Sequence, residues 1–252
     1  RSRQVLGTLV FVAFTLLVAI AAHLRLLATG RANGLPLDSD GWVRMIRVRE
    51  LWNGGGWYAH GPPPLFAPEG LDVHGTRPLD VLIIVPAWIA TLFGADGPEA
   101  LQWSGSLVCP VLHALTALAA GWAARRAWPD LRYAAYYAVL VLFTYEVLSA
   151  YSAIGRADHH VLVVLAIVLG LGAAAKAAWL EAPPRAAYGA GAAFGFGIWV
   201  SPEALLAALP ALGAFGVGWL LSARGRRWAL QGLRMATGLF VMVALAIVVA
   251  RP

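Results

Sequence analysis

Seven stretches of the chain are nearly unbroken apolar runs, at 5–29, 101–124, 133–151, 161–180, 186–200, 204–221 and 228–250. An α-helix crosses a bilayer with roughly 20 apolar residues, so each run predicts a transmembrane helix. The first is too long for a signal-peptide core and has no clean small-residue cleavage site, so it reads as a true first span. An eighth stretch, 81–93, is short for a crossing and carries Pro86, which predicts a re-entrant or interfacial segment. The expected architecture is all-α: a polytopic transmembrane bundle of about seven spans plus that short segment, with residues 1–252 forming one transmembrane domain.

The polar positions are as uneven as the apolar ones. Residues 30–80 form a long loop marked by Gly and Pro, more than a connector needs. Within it, 41–53 predicts an interfacial helix whose Trp42, Met45 and Trp52 turn toward the membrane while Arg44 and Arg47 share another face. Three glycines at 54–56 end that helix, and three prolines at 62–64 impose extended backbone. The remainder, to Asp80, carries His74 and Arg77.

Composition supports a lipid environment, with 60% hydrophobic and 13% charged residues and a mean hydropathy of +0.70. The net charge of +6 does not point to nucleic acid, because Lys and Arg sit at the ends of apolar runs, where they set topology. With the amino terminus in the cytoplasm and 81–93 not crossing, Arg125, Arg126 and Arg132, then Lys176 and Arg185, then Arg224, Arg226 and Arg227 all fall on the cytoplasmic side. The acidic clusters Asp38-Ser39-Asp40 and Asp158-His159-His160 then share the extracytoplasmic side. The single cysteine, Cys109, lies in an apolar run and reads as packing.

Each polar cluster has two readings. Asp38 or Asp40 caps the following helix, or joins a site. Arg44, Arg47 and Arg49 meet lipid headgroups. Asp158-His159-His160 is a solvated helix start, or a divalent-metal site, since carboxylate oxygen and neutral imidazole nitrogen are common ligands. Glu146 and His113 are intramembrane ionisable groups, with functional and hydrogen-bonding readings alike. Ser201-Pro202-Glu203 has the cap, first-position proline and first-turn acid of a helix start and reads as structural.

Asp40-Gly41-Trp42, the stretch around Arg125 and Arg126, Asp158-His159-His160 running into an apolar helix, and Trp199-Val200-Ser201-Pro202 together resemble the amino-terminal membrane half of the catalytic subunit of oligosaccharyltransferase. That family belongs to the GT-C superfamily of polyprenyl-linked glycosyltransferases. The resemblance implies that Asp40 and Asp158 are catalytic. They would hold a divalent cation, Mg²⁺ or Mn²⁺, with His159 or His160 as further ligands. It also implies a polyprenyl-linked glycan donor, an extracytoplasmic peptide or other glycan acceptor, and a bacterial or archaeal plasma membrane whose lipid surrounds the bundle. Arg77 and Arg156 are then candidates for the donor phosphates, and Asp38 and His74 line the same substrate site. The pattern departs from the family in lacking a further acidic external loop and a soluble carboxy-terminal domain. The corresponding expectation is an incomplete enzyme, and its alternative is a non-catalytic membrane subunit of a larger complex.

Overall fold

The computed structural model describes residues 2–28, 36, 38–58, 76–131, 133–179 and 181–250, with side chains from 5 to 24 in the first helix. His74, Arg132 and the prolines at 62–64 lie outside the described residues. The described residues form helices and no strand: α1 (Ser2–Ala28), α2 (Ser39–Trp52), α3 (Pro78–Leu92), α4 (Gly97–Ala127), α5 (Ala134–Thr144), α6 (Glu146–Tyr151), α7 (His160–Ala178), α8 (Pro184–Val200), a single 3₁₀ turn (Pro202–Ala204), α9 (Leu205–Leu221) and α10 (Gly225–Ala250).

Five of these segments are long and apolar enough to cross a membrane: Val5–Leu24 within α1, then α4, α7, Pro202–Leu221 and α10. The protein is an integral membrane protein. The run at 133–151 divides into α5 and α6 at Tyr145, whose backbone is extended (φ −75°, ψ 105°). The Thr144 hydroxyl donates back to the Leu140 carbonyl at 2.8 Å, a contact that bends helices, and Ser149 Oγ donates to the freed Phe143 carbonyl at 3.2 Å. Glu146 therefore falls in the first turn of α6, just after the break, with its side chain exposed. The 17-residue α8 lies between α7 and α10. Its glycines allow this: a Cβ at Gly191 would collide with the Met235 backbone, and one at Gly238 with that of Tyr188.

α3 starts beside the end of α8, where Thr76 Oγ1 donates to the Val200 carbonyl at 3.3 Å. It then runs back along the first half of α4, with Ser104 Oγ donating to the Ile83 carbonyl at 2.6 Å. The reversal uses Gly94 at φ +90°, a conformation glycine adopts without strain. This short segment does not traverse the bundle. A core of Met45, Val48, Leu79, Ile83, Val108 and Val161 joins α2, α3, α4 and α7 beneath it.

The bundle has two chemically distinct ends. At one, Trp179 Nε1 donates to the Arg126 carbonyl (2.9 Å) and Arg227 Nη1 to that of Ala178 (3.2 Å), so the basic ends of α4, α7 and α10 meet. At the other, about 28 Å away along the 19 residues of α7, lie the starts of α2, α3 and α7 and the turn between α8 and α9.

Candidate functional site

The site is built from helix starts. Asp38 is the N-cap of α2: its backbone is extended, and Oδ1 accepts the Gly41 N–H at 2.8 Å. Its other oxygen, Oδ2, lies 2.8 Å from Arg156 Nε. Gly41 keeps α2 close to the chain before α7, since a Cβ there would lie 2.9 Å from Asp38 Oδ1 and 3.6 Å from the Ala157 nitrogen.

The segment before α7 is pinned to α4. Gly155, at φ +88°, donates to the Ser106 carbonyl at 2.9 Å. Cys109 Sγ lies 3.2 Å from the Asp158 carbonyl and 3.3 Å from its nitrogen, so the buried thiol positions the backbone of Asp158. Asp158 is 2% exposed. Its Oδ1 accepts from the His160 N–H (3.1 Å) and from His160 Nδ1 (2.5 Å), with His159 Nδ1 at 3.3 Å. Its Oδ2 is buried, accepts no hydrogen bond, and has Arg156 Nε at 3.6 Å. The Arg156 guanidinium also lies over the Tyr151 ring at 4.3 Å.

Two opposing influences act on Asp158. Burial alone pushes its carboxyl up, but the hydrogen bonds from His160 and the charges of His160 and His159 together hold it below the usual carboxylate range. His159 is pushed down by burial first and then by the charge of His160. It therefore stays neutral, and able to ligate, at a pH where an ordinary imidazole gains a proton.

One donor atom each from Asp158, His159 and His160 falls within 4.8 Å of the others. One carboxylate and two imidazoles, with a buried carboxylate oxygen that accepts no hydrogen bond, fit a divalent cation.

The structure adds an acid that the sequence pattern explained as the first-turn acid of a helix start. Glu203 Oε1 lies 3.6 Å from His160 Nε2, across 43 residues of chain. Asp40, in contrast, is exposed in the first turn of α2 and has no ion pair or hydrogen bond among the described residues. Asp38 is the first-loop acid that the structure links to Asp158, through Arg156.

A positive cluster adjoins this acidic one. Asp80, fully buried at the start of α3, receives Arg44 Nη1 at 2.9 Å and Arg77 Nη1 at 3.0 Å, with Arg47 Nη2 at 3.8 Å. Arg44 also donates to the Thr76 carbonyl, and Arg77 Nε to that of Trp57. Arg44 and Arg47 thus turn inward to a carboxylate instead of outward to headgroups, because α3 presents Asp80 to that face of α2. Three guanidinium groups surround one carboxylate, and Arg44 is near enough to influence the protonation of His159.

His113 is buried away from this site, with Nδ1 2.8 Å from Ser152 Oγ and Nε2 3.3 Å from the Leu142 carbonyl. That is the hydrogen-bonded reading of the residue.

The sequence matches no protein-family model and no curated protein. The fold does match solved structures. The archaeal oligosaccharyltransferase AglB from Archaeoglobus fulgidus, in complex with an inhibitory peptide and a dolichol-phosphate, superposes with a TM-score of 0.72 at 18% identity. The apo form of the Archaeoglobus fulgidus oligosaccharyltransferase matches equally, again at TM-score 0.72 and 18% identity. In both, 95% of this chain is covered, and it spans 29% of the length of the other. The chain has the helical fold of that part of those proteins.

Proposed function

We propose that this chain carries the cation- and phosphate-binding half of a GT-C-type glycosyltransferase of oligosaccharyltransferase kind. Such an enzyme moves a glycan from a polyprenyl phosphate or diphosphate to an acceptor peptide or glycan outside the cytoplasm. The observation that carries the reading is the juxtaposition of two opposite charge clusters at one end of the bundle: Asp38, Asp158 and Glu203 with their imidazoles, beside Arg44, Arg47 and Arg77. A metal-assisted transfer from a lipid phosphate needs a pole for the cation and a pole for the anion.

Asp158, His159 and His160 would hold Mg²⁺ or Mn²⁺, whose chemistry when bound is to offset the charge that develops on the leaving phosphate oxygens. Arg44, Arg47 and Arg77 outnumber Asp80, so the cluster keeps a net positive charge that would attract the donor phosphates while Arg44 and Arg77 stay bonded to that carboxylate. Arg156 is engaged by Asp38 and Asp158, so it acts first as the clamp joining α2 to α7. The apolar surfaces of the spans would take the prenyl tail. Arg126 and Arg227 at the opposite end favour the cytoplasm, which supports an extracytoplasmic site.

The test is transfer of a labelled glycan from a polyprenyl-diphosphate donor in membranes bearing the chain in its native context. Asp158→Asn should lower turnover by about 10²-fold or more while the protein still assembles. Unchanged transfer would move the chain to the role of a structural subunit.

A further inference from the structure

We infer that Glu203 is a further ligand of the cation, reaching it from the connection between α8 and α9; this rests on the metal-dependent reading above. Asp158, His159 and His160 are consecutive, so they approach an ion from one side only and offer one carboxylate with two imidazoles. Mg²⁺ and Mn²⁺ prefer oxygen ligands, in numbers near six for Mg²⁺. A second carboxylate from a separate element is what this donor set lacks.

The other nearby acids are committed or apart. Asp38 caps α2 with one oxygen and pairs with Arg156 through the other. Asp80 is enclosed by Arg44 and Arg77. Asp40 is exposed, with no contact to the cluster among the described residues. Glu203 combines a fixed backbone with a carboxylate that makes no hydrogen bond among the described residues. Ser201 Oγ accepts its N–H at 3.5 Å, Pro202 sets the first turn, and Ala204 is fully buried against Gly197. Thr76 ties the Val200 carbonyl to the start of α3. The side chain is 53% exposed, and its Oε1 sits 3.6 Å from His160 Nε2.

A second observation points the same way. His160 Nδ1 is hydrogen-bonded to Asp158 Oδ1, which fixes the ring and leaves Nε2 as the nitrogen open to a cation, and Nε2 is the atom that faces Glu203 Oε1. A cation at His160 Nε2 would therefore meet the Glu203 carboxylate, with Asp158 behind the ring holding it in place.

The test is Mn²⁺ titration of the detergent-purified protein, with free Mn²⁺ followed by its paramagnetic resonance signal. Wild type is expected to bind one ion. Glu203→Gln should weaken binding by about 10–100-fold, Glu203→Asp should fall between, and Glu146→Gln should match wild type. Equal affinity in wild type, Glu203→Gln and Glu203→Asp overturns the inference while leaving the metal site standing; absence of Mn²⁺ binding in wild type overturns the metal reading itself. Because the Glu203 side chain is largely in solvent, the variants are expected to unfold thermally with the metal-free wild type, which separates a lost ligand from a lost fold.

Discussion

Asp80 is the residue on which the arginine cluster of the site converges. It is fully buried and faces Arg44, Arg47 and Arg77. Asp80→Asn removes the carboxylate that all three guanidinium groups face, and breaking such a cluster from one side destabilises by roughly 3–5 kcal/mol. Denaturation in mixed micelles, titrated with SDS, should show the loss.

His159 gives a pH prediction of defined sign. Its folded-state value lies below that of a free imidazole, which is about 6.5, so the unfolded chain takes up the proton first as pH falls. The stability His159 contributes is intact above about pH 6.5 and is lost as pH falls through the depressed folded value. Thermal unfolding at pH 7.5 and 5.5 should therefore differ less in His159→Asn than in wild type.

That Asp38, not Asp40, caps α2 was not legible in the sequence: either acid can cap a helix start, and which one does depends on which adopts extended backbone. Glu203 was hidden for a related reason: capping chemistry fully explains Ser201-Pro202-Glu203, and its partner His160 is 43 residues away.

At the scale of elements, apolar length was the readable quantity. It located α1, α4, α7, α9 and α10 to within a few residues, and it set the shorter α3 apart from the membrane-length segments. It could not show the break at Tyr145, which has neither glycine nor proline and depends on hydroxyls bonding back to the helix. Nor did it give the direction of Arg44 and Arg47, since an interfacial helix can turn a basic face to headgroups or to a buried acid.

The glycines of α8 at its contact with α10 supply a controlled comparison. Gly191→Val meets the α10 backbone at Met235 and should destabilise by about 1–3 kcal/mol. Gly189→Ala, with open space around its Cβ, should be nearly neutral. Unfolding of the two variants in the same micelles checks the pair.

For the whole molecule, the separation of charge between the two ends is the organising feature. The basic loops meet at the ends of α4 and α7, and the acidic and arginine clusters occupy the opposite end. Under the positive-inside bias, an impermeant maleimide added to intact cells should label Asn53→Cys, at the exposed C-cap of α2, and should spare Arg224→Cys. The native Cys109 is buried and should stay silent in this experiment.

The fold aligns with part of a larger transferase, yet the chemistry proposed depends on a few side chains at one end of the bundle. The measurement that tests this most directly is anomalous X-ray scattering from crystals soaked in Mn²⁺, for wild type and Asp158→Ala. One strong peak is expected within ligand distance of Asp158, at the start of α7, and is lost in the variant. A wild-type map without a peak there, or a peak that persists in Asp158→Ala, would contradict the proposed chemistry.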